Sequence, residues 1–210
     1  MAIQDRKERE FKRREQEILG AALTLFNRDD WQTITVEQIS QEAEIGKGTV
    51  YKHFESKDEI YARLALNFHR QILAKLQQLD PAQDVISRLR TITRIFWEEH
   101  LKSREHHRLA MYCMRDDFRR NISEATRQEF EALDAAFAEL IHGILQQGID
   151  EGIFPRKPLP LLLFGAQAAI KGAIMMAWSG CLKGTDPNQY LEEITNFILA
   201  GLVYQDRRFS

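Results

Sequence analysis

With 210 residues, 44% of them apolar and 29% charged, the chain carries enough hydrocarbon for a sizeable core and enough charge for a wetted surface. A net charge of -2 excludes bulk electrostatic attraction to nucleic acid, so any DNA contact has to rest on a local basic patch. The two cysteines, Cys113 and Cys181, show no CxxC or Cys/His spacing, which excludes a zinc module and reads as reduced thiols in helices.

The opening MAIQDRKEREFKRREQ has no apolar stretch of the signal-peptide kind, so a cytoplasmic location is expected. A first helix is predicted from about Glu10 to Asn27, with Ile18, Ala22, Leu25 and Phe26 on one face. Arg6, Lys7, Arg9, Lys12, Arg13 and Arg14 crowd its start and the arm before it. Asp5, Glu8 and Glu10 interleave with them, so the arm reads either as a basic contact or as a solvated, disordered tail. Thr35 with Gln38 forms a capping box that opens a second helix, whose buried stripe is Val36, Ile39 and Ala43. A break at Glu44-Ile45-Gly46 leads into a short third helix, Lys47 to His53. Ser56 with Glu59 makes another capping box before a fourth, which carries Tyr61, Leu64, Phe68, Ile72 and Leu76 on one side.

Asp80-Pro81 interrupts the pattern. A fifth helix follows from Val85 to about His100, a sixth from about Arg104 to Met114, and a long seventh from Ser123 to about Glu151, stopped by Gly152 with Pro155 beyond. The eighth, Leu159 to Trp178, is the most apolar. Gln167 and Lys171 in its middle argue against a membrane span, and it is read as a buried core helix. Gly184 and Pro187 precede a ninth, Gln189 to Tyr204. No strand, repeat or low-complexity run is found, so the expected fold is all-α.

The stretch from Thr35 to Ile60, and above all Gly46-Lys-Gly-Thr-Val-Tyr-Lys-His-Phe54 followed by Ser56-Lys57, resembles the DNA-binding signature of the TetR family. The residues support this independently. Val50 and Phe54, four apart, can lock the third helix onto the first two, leaving Lys47, Thr49, Lys52 and His53 facing outward into a major groove. Gly48 lets backbone approach phosphate, and Gly46 belongs to the same string. The resemblance implies that Tyr51 touches phosphate or a thymine methyl, and that Thr35, His53 and Lys57 meet phosphate. Two positions depart from the pattern. Glu44 stands at the turn position usually held by glycine, where a left-handed conformation costs roughly 1 kcal/mol. Glu37, where some relatives place an arginine, either accepts from a cytosine amino group or points to solvent, and phosphate repulsion favours solvent.

The resemblance further implies a reader head at residues 1–56 and a helical body at 57–210 that binds a small-molecule effector and forms a homodimer through the last two helices. Gly165, Ala166, Ala169, Gly172 and Ala173 allow close approach there, and Leu191, Ile194, Ile198 and Leu202 form an apolar stripe. Most aromatics and methionines of the second half must be core, but Phe96, Met111, Met114, Phe130, Phe164 and Met175 are also candidate pocket residues for an apolar or amphipathic effector. His100, His106 and His107 lack metal spacing, and His100 is read as a pocket-rim residue. Gln167 and Lys171 share a helical face with Phe164 and Met175. A lysine in so apolar a helix either faces a ligand cavity, and then favours an anionic ligand, or pairs across a subunit interface. No nucleophile elbow, phosphate loop, metal or cofactor motif is present, so an enzyme is not expected. The implied regulator is released from a palindromic operator by its effector.

Overall fold

The computed structural model describes residues 2–28, 30–115, 117–182, 184 and 186–203, with side chains from residue 5 onward. The described residues form nine α-helices and two short 3-10 turns, with no strand. In chain order they are α1 Ala2–Leu25, α2 Val36–Glu42, α3 Lys47–His53, α4 Lys57–Leu76, α5 Val85–Leu101, α6 Arg104–Cys113, α7 Glu124–Asp150, α8 Leu159–Trp178 and α9 Pro187–Val203. The expected Tyr204 end of the ninth helix lies outside the described residues.

Sequence chemistry sets the ends of these helices. Thr35 and Gln38 form the full reciprocal box at α2. Ser56 caps α4 by accepting from the Glu59 amide at 3.2 Å. The expected box there is half made, because the Glu59 carboxylate turns away to the start of α7. It accepts from the Ser123 amide and, at 2.6 Å, from Thr126 Oγ1. Asp84 caps α5 through the Ser87 amide at 2.9 Å. Gly152 (φ 73°) ends α7 in a Schellman arrangement, with Ile153 N donating to Gly148 O and Gly152 N to Ile149 O. Pro187, expected in the connection, instead takes the first position of α9, where a missing N–H costs nothing.

The chain divides into two compact units. The first takes α1 to α3, α4 through His69, α6, and α7 through Ala132. Its core joins Ile18, Ala22 and Phe26 of α1, Ile39 of α2, Val50 and Phe54 of α3, Ile60, Tyr61 and Leu64 of α4, and Leu109 and Tyr112 of α6. Phe26, Tyr61 and Tyr112 meet as an aromatic cluster, with Tyr61 edge-on to Tyr112 at 4.7 Å. Arg108 of α6 is buried and donates to the carbonyls of Phe26 and Arg28, the groups left over where α1 ends. Polar ties reinforce α4 against α6 and α7: Tyr112 Oη donates to Asp58 at 2.5 Å, and Arg63 forks onto Glu129 at 2.9 and 3.1 Å.

The second unit takes α4 from Arg70, α5, α7 from Leu133, α8 and α9. Here α5 packs on α8 and α9, which pack on each other. Phe154 is buried over Gly148, where any Cβ would overlap its ring. Arg88 reaches Gln147, and Trp178 Nε1 donates to the His100 carbonyl at 3.1 Å.

Three expectations need correction. First, α1 begins at Ala2 rather than near Glu10. The interleaved acids do not loosen the arm; they sit three or four residues from its cations and pair with them, Glu8 with Lys12 at 2.8 Å and Arg13 with Glu10 and Glu17 at 3.2 and 2.8 Å. Second, α8 is not a buried core helix: only Leu162 and Ile174 along it are buried, while Leu161, Phe164, Met175 and Met176 are exposed. Third, on α9 the expected stripe points inward: Ile198 and Leu202 are buried and Leu191 and Ile194 half-buried, while Phe197 and the terminal Val203 are exposed. Cys113 does close α6, and burial pushes its thiol up to about 12. Cys181, in contrast, lies beyond the end of α8 and is exposed.

Candidate nucleic-acid interface

Two short helices and the four residues between them, 43–46, build the site. The turn residue Glu44 has φ 54°, the left-handed conformation expected of it, and Ile45 N donates to Ser40 O at 2.9 Å to close the corner. Ile39, Val50 and Phe54 fill the angle between α2 and α3 and are buried. With Val50 and Phe54 held inward, the opposite side of α3 is presented to solvent. Gly46, Lys47, Gly48, Tyr51 and Lys52 are exposed and Thr49 is half-buried. Tyr51 is 49% exposed, unusual for so large a ring with no packing to hold it out. Thr35, also exposed, spends its hydroxyl on the cap of α2.

Four side chains sit differently from what the sequence suggested. Lys57 turns inward: its Nζ donates to the Ile34 carbonyl at 2.8 Å and lies 5.8 and 5.5 Å from the Tyr61 and Tyr112 rings. Burial lowers its pKa, and the nearby Arg115 adds to that. An ammonium engaged this way braces the entry to α2 against α4 rather than reaching out to phosphate. Glu37 does not face open solvent; it accepts from Lys47 Nζ at 2.8 Å across the mouth of the α2–α3 corner. That pairing holds the pKa of Lys47 above the ordinary lysine value. His53 is half-buried and stacks on Phe11 of α1 with ring centroids 4.0 Å apart. Desolvation lowers its pKa, and its Nδ1 is buried without a hydrogen bond among the described residues. Phe11 is the residue that sequence reasoning missed. It precedes the apolar stripe of α1 by seven residues from Ile18, two helical turns on the same face, and that periodicity was the available signal.

The candidate effector residues are divided between the two units. Met111 and Met114 are exposed in the first unit. Phe130 lines a cleft of about 50 Å³ there with Cys113, Phe118, Arg119, Ile122 and Arg127. That is room for a water or two, well below the ~300 Å³ of a typical ligand pocket. In the second unit Phe96 stacks on His100 and meets Phe137 at a tilt of 43°, each at 6.0 Å. Phe164, Gln167, Lys171 and Met175 lie on the exposed side of α8. Lys171 is thus exposed in the single chain. Among the described residues no group of His, Cys, Asp and Glu is placed to hold a metal.

A two-helix corner with an exposed basic and aromatic second helix, carried on an all-helical body, defines a helix-turn-helix DNA-binding regulator. A sequence model described as "Bacterial regulatory proteins, tetR family" matches residues 18–64, which span the last part of α1 through the first part of α4. Residues 18–64 are thus similar to the DNA-binding segment of the TetR family of bacterial regulators. The HTH-type transcriptional repressor KstR2 of Mycobacterium tuberculosis H37Rv is 27% identical over 139 residues, 66% of this chain and 68% of that one. The HTH-type regulator YfiR of Bacillus subtilis is 28% identical over 150 residues, 70% and 71% of the two chains. Among solved structures, the fatty acid degradation regulator FadR of Bacillus halodurans superposes with a TM-score of 0.70 at 18% identity, covering 90% of this chain and 96% of that one. A TetR family regulator from Marinobacter aquaeolei VT8 gives 0.69 at 18% identity over 94% and 98%. At these identities the structural likeness speaks for the fold.

Proposed function

We propose that this protein is a cytoplasmic, dimeric repressor that binds a palindromic operator through α3 and leaves it when a small apolar or amphipathic effector binds the helical body. The observation that carries the reading is α3 itself: Val50 and Phe54 are buried beneath it while Lys47, Tyr51 and Lys52 stand out on the other side. In the groove Thr49 and Lys52 read base edges, Tyr51 meets phosphate or a thymine methyl, and Gly46 and Gly48 let the backbone come close. Thr35 and His53 lie at the margin of this surface. Lys47 exchanges Glu37 for phosphate as DNA arrives. Lys57 is left out of the contact set because its ammonium is already engaged with Ile34 O.

The dimer forms through α8 and α9. Leu161, Phe164, Ala168, Lys171 and Met175 make one exposed stripe along α8, and Phe197 is exposed on α9. An apolar strip of that length asks for a partner of the same kind. Of the two roles open to Lys171, its exposure favours the subunit interface. The effector, taken up by residues of the helical body, shifts α4 to α7. It must bind the released state more tightly than the DNA-bound one. Within the first unit, the Asp58–Tyr112, Glu59–Thr126, Arg63–Glu129 and Arg108–Arg28 ties give α6 and α7 a grip on α4 and on the end of α1.

Selection from a randomised double-stranded DNA pool, followed by footprinting, tests this. The expected outcome is two inverted half-sites whose centres lie about 34 Å or somewhat more apart. Recovery of a single, unrepeated half-site bound by one protomer overturns the dimeric reading.

A further inference from the structure

The basic start of α1 has no role in the contacts assigned to α3. The family match begins at residue 18, and α1 starts at Ala2, so more than half of this 24-residue helix precedes the matched segment. Its position is fixed at one point: Phe11 stacks on His53, the last residue of α3. Lys7 lies four residues before Phe11, hence on the same face and about 6 Å further along the axis. The helix thus places Lys7 about one turn from the contact at the C-terminal end of α3, and Arg6 and Arg9 flank it. All three are exposed and make no ion pair or hydrogen bond among the described residues. The other cations are spent locally: Lys12 on Glu8, Arg13 on Glu10 and Glu17, Arg14 on Glu17. Those pairs neutralise Glu8, Glu10 and Glu17; of the remaining acids Asp5 lies beside the three cations and Glu15 two turns further on, so the first turns keep an excess of positive charge.

We infer that the first three turns of α1 extend the DNA-binding surface, with Lys7, Arg6 and Arg9 meeting phosphates of duplex DNA that flank each half-site. This rests on α3 being the recognition helix. The occupant follows from charge and form. Three unpaired cations within about one turn of helix, anchored beside a groove-reading helix, match a polyanion that continues beyond the groove. Because the segment is already helical and held by the Phe11–His53 stack, docking does not carry the ordering cost that a flexible tail would. The contacts add affinity and register without reading bases.

The test compares the full-length protein with Arg6→Gln/Lys7→Gln/Arg9→Gln, with Lys7→Gln alone, and with Lys12→Gln as the charge-matched control. Glutamine keeps helix propensity, and circular dichroism checks that the helix persists. Binding to the selected operator is followed from low to physiological salt, and hydroxyl-radical footprints are taken on the same DNA. The slope of log affinity against log salt should shrink by about 0.9 for each phosphate that the protein no longer neutralises, so by about five for the dimeric triple variant and by about two for Lys7→Gln. The outer edges of the footprint should retract while the half-site centres stay protected. Lys12→Gln should leave both unchanged. An unaltered slope and footprint in the triple variant overturns the inference, and so does an equal loss in Lys12→Gln, which would mean bulk charge alone. Failure of the unmodified protein to select any DNA sinks the reading of α3 instead.

Discussion

Glu44 and Lys57 show how much one side chain's direction decides. At Glu44 the backbone geometry followed from position alone: the corner demands a left-handed residue, and a non-glycine supplies it at a cost of roughly 1 kcal/mol. At Lys57 position misled, because a long flexible cation beside a DNA-reading helix reads as a phosphate contact until its Nζ is found on Ile34 O between two tyrosine rings. Lys57→Met keeps the stem and removes the donor. We expect it to lower unfolding stability in urea by about 1–2 kcal/mol, the cost of leaving a shielded carbonyl unpaired. The salt slope of DNA binding should stay as it was; a reduced slope would return Lys57 to the phosphate contacts. His53 and His107 give a pH signature. Desolvation is the main cause of the lowered pKa at each, helped by Arg108 at His107 and by Arg14 at His53. The unfolded chain then binds protons that the folded one refuses. Stability should be full above about pH 6.5 and should fall as pH drops from there through the lowered folded values. Replacing both histidines with glutamine should flatten that decline. An unchanged pH profile in the double variant means that other groups cause it.

At the level of elements, most of the chain was legible because caps, breakers and apolar spacing agree. The corner of α2 and α3, the Thr35 box, the Gly152 stop and the order of the helices all follow from local chemistry that the sequence displays. What was not legible is long-range. Nothing near Arg108 in sequence announces that it closes the end of α1 some eighty residues earlier, and nothing near Glu59 announces that its carboxylate serves α7. The outward side of α8 was misread for a related reason. Apolar composition reports that a helix wants cover but not whether the cover comes from its own chain. Arg108→Met should cost about 2 kcal/mol in urea unfolding, since charged hydrogen bonds to two carbonyls disappear in a buried setting. A decrease under about 0.5 kcal/mol would mean that water satisfies the end of α1 equally well.

For the whole molecule the decisive quantity is what covers α8. Phe164 is 71% exposed, so Phe164→Glu has little to disturb within one subunit. If α8 is the dimer contact, sedimentation should find the variant monomeric at concentrations where the unmodified protein is dimeric. Operator affinity should fall by roughly thirtyfold, the equivalent of a ~2 kcal/mol interface hot spot. An unaltered dimer would place the contact elsewhere. Glu59 has a different kind of consequence. It sits in the first turn of α4 with its own amide on Ser56, and its carboxylate holds the Ser123 amide. The Ser123 amide proton is therefore released to solvent only when α4 and α7 part at their starts. Its rate of exchange with deuterium is a built-in clock for that opening, one that can be read with and without DNA and does not require the effector to be known.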